Sequence, residues 1–194
     1  LFKNEEEIKK YYGGLTPDIL IENYKKQYAR AKELEAEYMV FHVSHILPED
    51  SFTWQFDYSD EEILEATLEL VNAVFEENEE GPLLLFENLW WPGLRLTEPA
   101  VVRAFFEKIK HKNVGIMLDT GHLMNTNPEL QTEEDGIEYI LKTVKGLGEY
   151  RKLIRGLHLN CSLSGDYVKT FERVFDSESS NIERMKHVIK IDQH

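Results

Sequence analysis

The chain is poor in cysteine, in basic residues and in long apolar runs, and each shortage removes a class of protein. One cysteine, Cys161, stands in 194 residues, so no internal disulfide can form and a reducing, cytoplasmic setting is expected. A run of about 18 consecutive apolar residues is missing, so neither a membrane span nor a membrane partner is expected. Lysine and arginine number 22 against 36 acidic residues, a formal charge of −14. That surplus repels phosphate backbones at long range and counts against sequence-independent nucleic-acid binding, while leaving room for a local metal-lined groove. No G-x-G-x-x-G or Walker pattern occurs, so a glycine-rich nucleotide cradle is not expected. The chain also has no signal-peptide pattern and no initiator methionine, and it is expected to begin inside a longer protein.

What is present is a regular beat of helix and strand. Residues 17–35 carry Ile19, Leu20, Tyr24, Tyr28, Ala31 and Leu34 at near-helical spacing, behind Thr16 as N-cap and Pro17 at the first helical position. A strand is expected at 37–43, an aromatic-rich loop at 48–59, a helix at about 60–78 and a strand at 83–88 after the Gly81-Pro82 break. The pattern repeats with a helix at 97–110, capped by Thr97, and a strand at 114–118. It repeats again with a helix at 134–147 and a strand at 153–160, then a helix near 167–175 or 180–187 and a strand at 187–192. The strands are apolar throughout rather than alternating, as parallel strands covered on both faces must be. Without linker, repeat or low-complexity segment, residues 1–194 read as one α/β domain. Five βα units suit an open sheet or part of a (β/α)₈ barrel. A whole barrel takes roughly 200 residues or more, so the N-terminal strands and the last strand are expected to lie outside this sequence.

In parallel α/β folds the chemistry gathers at the carboxyl ends of the strands. Every expected strand here ends in a metal-ligand type: His42, with His45 beyond it; Glu87; Asp119 with His122; His158; and Asp192 with His194. Of the seven histidines, His42, His122, His158 and His194 fall at or just past strand ends, whereas His111 reads as a surface residue. Carboxylate oxygens and neutral imidazoles suit Zn²⁺ or Mn²⁺, with Co²⁺, Mg²⁺ and Fe²⁺ as alternatives. Gathered at one barrel mouth without a cation, the carboxylates would repel one another.

Plainer readings stand beside these. His42 alone could be a satisfied loop histidine, and Asp119 could simply cap the next turn. Trp90 and Trp91 could form a stacking wall for a sugar ring or base, or a packing lid. Phe52, Trp54, Phe56 and Tyr58 could be ordinary loop packing. Cys161 has no base beside it in sequence and is not read as a nucleophile.

Taken together, "FHVSH" (41–45), "LLLFEN" (83–88), "GIMLDTGH" (115–122), "RGLHLN" (155–160) and "IDQH" (191–194) resemble the xylose isomerase-like TIM-barrel superfamily, in its order. The superfamily includes sugar and sugar-phosphate isomerases and epimerases and the endonuclease-IV-type apurinic endonucleases. Resemblance to the first branch implies one divalent metal on Glu87, Asp119 and His158, completed by a glutamate beyond this sequence. Glu87 would then also carry a proton through an enediolate, and His122, with His42 and Trp90, would meet a small sugar or sugar-phosphate substrate. Resemblance to the second implies a multinuclear site that adds His42, His122, Asp192 and His194. Cys161 departs from that branch, which places an aspartate there. The sequence puts the isomerase or epimerase first, the phosphodiester hydrolase second, and a barrel kept as a non-catalytic binding protein third.

Overall fold

Two apolar runs, Leu83–Glu87 and Val114–Asp119, form the centre of a four-stranded parallel sheet. In the computed structural model, which describes residues 4–44, 46, 50, 55–76, 80–160 and 163, the strands are β1 (Tyr38–His42), β2 (Leu83–Glu87), β3 (Val114–Asp119) and β4 (Ile154–His158). They lie in the order β1-β2-β3-β4. Helices alternate with them: α1 (Glu5–Tyr12), α2 (Asp18–Glu33), α3 (Asp60–Val74), α4 (Pro99–Lys108), α5 (Thr120–Asn125) and α6 (Glu133–Gly146), with a 3₁₀ turn at Gly148–Leu153. No described helix is long and apolar enough to cross a membrane. The expected helix and strand between 167 and 192 lie outside the described residues.

The core forms where helix faces meet the sheet. Helix α3 turns Leu64, Leu68, Val71 and Val74 inward, and α4 adds Val102, Phe105 and Phe106. Phe86 of β2 is fully enclosed and meets Phe41, Phe105 and Phe106 at ring-centroid distances of 6.0, 5.2 and 5.8 Å. Burying one such side chain contributes about 1.5–3 kcal/mol. The two central strands are covered along their length, whereas β1 and β4 keep partly exposed residues, Leu157 among them.

Several helix ends differ from expectation. Pro17, not Thr16, is the N-cap of α2, and no side chain bonds there. Thr97 does not cap α4, which starts at Pro99 behind Glu98. Helix α3 stops at Val74 because Phe75 adopts an extended conformation, tucking its ring against Tyr28. His111, between two lysines, is buried: its Nδ1 lies 2.7 Å from the Glu76 carbonyl and its ring packs on Phe75. The surface reading of that histidine is therefore wrong.

The register of the sheet decides where the strand-end side chains point. His42 pairs with Glu87, Glu87 with Met117, and Asp119 with His158. Laterally paired residues of parallel strands share a face, and residues two apart on one strand share it too. His42, Glu87, Asp119 and His158 therefore emerge on the same face, at the carboxyl ends of four adjacent strands.

Candidate metal centre

Glu87 is the hub. It ends a buried strand and is 2% exposed, yet its carboxylate is surrounded by imidazoles. Oε1 lies 3.3 Å from His122 Nδ1 and 3.3 Å from His158 Nδ1, and Oε2 lies 3.3 Å from His42 Nε2. Asp119 Oδ2 is 3.8 Å from His122 Nδ1 and 3.7 Å from His158 Nδ1. Glu87, Asp119 and His122 offer ligand atoms that all lie within 4.8 Å of one another.

Asp119 caps a helix with one carboxylate oxygen and turns the other toward the histidines. Its Oδ1 accepts from the His122 backbone N–H at 2.8 Å, starting α5 as an N-cap, while Oδ2 faces the histidines. This short helix, too brief to betray itself by periodicity, carries His122 back over the strand ends. Gly121 allows the turn, since a Cβ there would come within 2.8 Å of the Asn160 side chain. Thr120 ties the same corner to β4: its hydroxyl donates to the Asn160 carbonyl at 2.7 Å and accepts from the Asn160 N–H at 2.7 Å.

His122 is oriented by its neighbours. Its Nδ1 lies 2.8 Å from the Asn88 carbonyl, which only accepts, so Nδ1 carries the hydrogen and Nε2 keeps the open lone pair. Trp90 packs on the imidazole with centroids 4.8 Å apart and meets Trp91 at 4.4 Å. Trp90 is 8% exposed and Trp91 half-buried, so the pair backs His122 as an aromatic wall. The loop that carries them is pinned to β1. Leu94 N–H donates to the Val43 carbonyl, Ser44 Oγ donates to the Pro92 carbonyl, and Asp60 accepts from the Gly93 N–H and from Arg95. Gly93 sits at φ +134, and a Cβ there would lie 2.1 Å from the Val43 carbonyl oxygen.

These residues fit a divalent cation on two counts. Among the described residues, Glu87 Oε2 is buried without a hydrogen-bond partner, although His42 Nε2 stands 3.3 Å away. A lone buried carboxylate oxygen costs several kcal/mol unless a cation compensates it. Donor atoms bound to a tetrahedral ion at about 2.0–2.1 Å lie about 3.3–3.4 Å from one another, and the 3.3 Å separations of His158 Nδ1 and His42 Nε2 from the two Glu87 oxygens match that edge. Side chains close but not aligned to bond each other are what ligands awaiting a common ion look like. His158 and His42 keep exposed rings, 45% and 62%, on the open side. Asp192, His194, His45 and Cys161, together with Phe52 and Trp54, lie outside the described residues. The hydrogen-bonding role of Asn88 was not foreseen; the one pointer was its place directly after the strand-ending glutamate.

Comparison with known proteins agrees with this architecture. Residues 18–188 match the model of the xylose isomerase-like TIM barrel family. A probable endonuclease 4 from Halothermothrix orenii is 29% identical over 150 residues, which cover 75% of this chain and 49% of that protein. The chain thus spans about half the length of the curated relative it matches. A parallel sheet with alternating helices, ligand-type residues at its strand ends and a family match over most of its length lead to one assignment: the chain belongs to the xylose isomerase-like TIM barrel family.

Proposed function

We propose that the protein is a divalent-metal phosphodiester hydrolase of the endonuclease-IV type, in which Glu87 is shared between two ion positions. The observation that carries the proposal is the two-sided carboxylate. Imidazole nitrogens stand at ligand–ligand spacing from both of its oxygens, His158 Nδ1 at Oε1 and His42 Nε2 at Oε2. A carboxylate flanked in this way suits bridging better than carrying a proton. The probable endonuclease 4 among the relatives supports the same reading.

Divalent ions, Zn²⁺ or Mn²⁺ by the donor chemistry, supply Lewis acidity toward a phosphoryl oxygen and an attacking water. Glu87 and Asp119 bring the negative charge that holds them. His158 and His42 close the two sides of the carboxylate. His122 offers Nε2 as a further ligand, and Asp192 with His194 are proposed for an additional ion. Trp90 and Trp91 form a wall for the sugar ring next to the phosphate. With a net charge of −14, the grip on an anionic substrate has to come from the ions rather than from surface lysines.

The isomerase or epimerase reading is favoured by the same net charge and by Glu87 Oε2, which has no hydrogen-bond partner among the described residues. In it Glu87, Asp119 and His158 hold one ion, His122 orients a substrate hydroxyl, and Glu87 moves the proton. The test is direct: the metal-loaded protein is assayed on a duplex containing an abasic site and on a panel of aldose and ketose phosphates. Strand cleavage that disappears in Glu87→Gln supports the hydrolase. Sugar interconversion without cleavage overturns it in favour of the second reading.

A further inference from the structure

We propose that Asn88 is the positioning residue of this centre: its side chain locks Asp119 to the end of β2 and holds its own carbonyl over His122. The inference rests on the reading of Glu87, Asp119 and His158 as ligands.

Backbone pairing between β2 and β3 runs as far as Glu87 with Met117. Past that point the main chain of β2 turns away into the tryptophan loop, and the Asn88 side chain takes over as a substitute peptide group. Its Nδ2 donates to the Asp119 carbonyl at 3.0 Å, and its Oδ1 accepts from the Asp119 N–H at 2.9 Å. The residue is fully buried, and both halves of its amide are used. Its own main-chain carbonyl accepts from His122 Nδ1–H at 2.8 Å. Three site residues thus depend on position 88: Glu87 as its neighbour, Asp119 through the side chain, and His122 through the carbonyl. A primary amide on one methylene offers a donor and an acceptor together; aspartate would turn a second acceptor toward the Asp119 carbonyl, and leucine would offer neither. The two bonds aim the Asp119 carboxylate, and the third fixes the His122 tautomer so that Nε2 keeps its lone pair.

The rival reading is that the amide merely stiffens the sheet. The fold contains its own control. Asn72 makes a comparable two-bond clip away from the site, spanning two residues rather than one: it donates to the Lys108 carbonyl at 3.1 Å and accepts from the Lys110 N–H at 2.9 Å.

The experiment compares wild type, Asn88→Ala, Asn88→Ser and Asn72→Ala by Co²⁺ titration with visible spectra and by thermal melting. Nitrogen-15 histidine NMR of the metal-free protein reads the tautomers. The expected result is a Co²⁺ affinity lower by about 10–100-fold in the position-88 variants, with an altered ligand-field spectrum and loss of the fixed His122 tautomer. Asn72→Ala should lower the melting temperature and leave affinity and spectrum unchanged. Wild-type affinity and spectrum in Asn88→Ala or Asn88→Ser overturn the proposal, as does a wild-type His122 protonated on Nε2. The NMR result stands even if neither variant folds. If wild type binds no divalent ion at all, the metal reading fails by itself, while the change in the His122 signals between wild type and the position-88 variants still decides whether the Asn88 side chain holds that carbonyl over His122.

Discussion

At the scale of single residues, Glu87 is costly to the fold. A buried carboxylate with an oxygen that lacks a hydrogen-bond partner among the described residues opposes folding, a cost that the proposed cation site would accept. Glu87→Gln keeps the shape and removes the charge, so the metal-free variant should be more stable than wild type by about 1–3 kcal/mol. Denaturant unfolding in the presence of a chelator measures this. The same variant should lose metal affinity by about 100-fold or more, beyond the roughly 10–100-fold typical of losing a ligand's supporting partner; isothermal titration checks it. The strand-end placement of Glu87, Asp119, His122 and His158 could be anticipated from sequence, because apolar parallel strands run out at those residues. That both Glu87 oxygens would be flanked could not. It depends on His42 pairing laterally with Glu87, and register is a property of two strands. Asn88 was hidden for a similar reason, since its partner Asp119 is 31 residues away.

Among the elements, the helices were easier to anticipate than their ends. Helix α6 shows how local chemistry sets a terminus. Thr132 and Asp135 form a capping box, with Asp135 N–H donating to Thr132 Oγ1 and Thr132 N–H donating to Asp135 Oδ2. The side-chain bond with Thr132 and the backbone N–H groups of Gln131 and Thr132 hold the Asp135 carboxyl below its ordinary 3.8. A depressed folded value means the stabilisation is complete above the unfolded value and is lost as pH falls from there through the folded one. Asp135→Ala should therefore melt earlier than wild type at neutral pH, and the gap should close as the solution is acidified below about pH 4. Melting curves across that range decide it. The caps on α2 and α4 were misjudged because Thr16 and Thr97 look like caps locally, whereas the turn before each proline places the helix start one or two residues later. Within the sheet, Phe86→Ala should cost about 3–5 kcal/mol, because three rings close around that side chain. Chemical denaturation checks this, and a loss below about 1 kcal/mol would mean that the cluster repacks.

Over the whole molecule, the parallel α/β architecture follows from the apolar strands and the even spacing of βα units, and the family match accords with it. What composition could not weigh was the balance between an acidic chain and the anionic substrate proposed for it. The −14 charge is spread over the whole sequence, whereas the carboxylates and imidazoles that matter converge within a few ångströms. Ions held there would reverse the local potential without changing the chemistry of the surface. Removing them with a chelator should lower the melting temperature, and re-adding Zn²⁺ or Mn²⁺ should restore it, since ligands that bind only the folded state stabilise it.

The most direct test of the proposed sharing of the Glu87 carboxylate is the metal content of the purified protein, determined by elemental analysis on wild type and Glu87→Gln. Two or more divalent ions per chain in wild type, reduced in the variant, is the result predicted. One ion per chain would contradict a bridging Glu87, and an unchanged metal content in Glu87→Gln would contradict its place at the centre of the site.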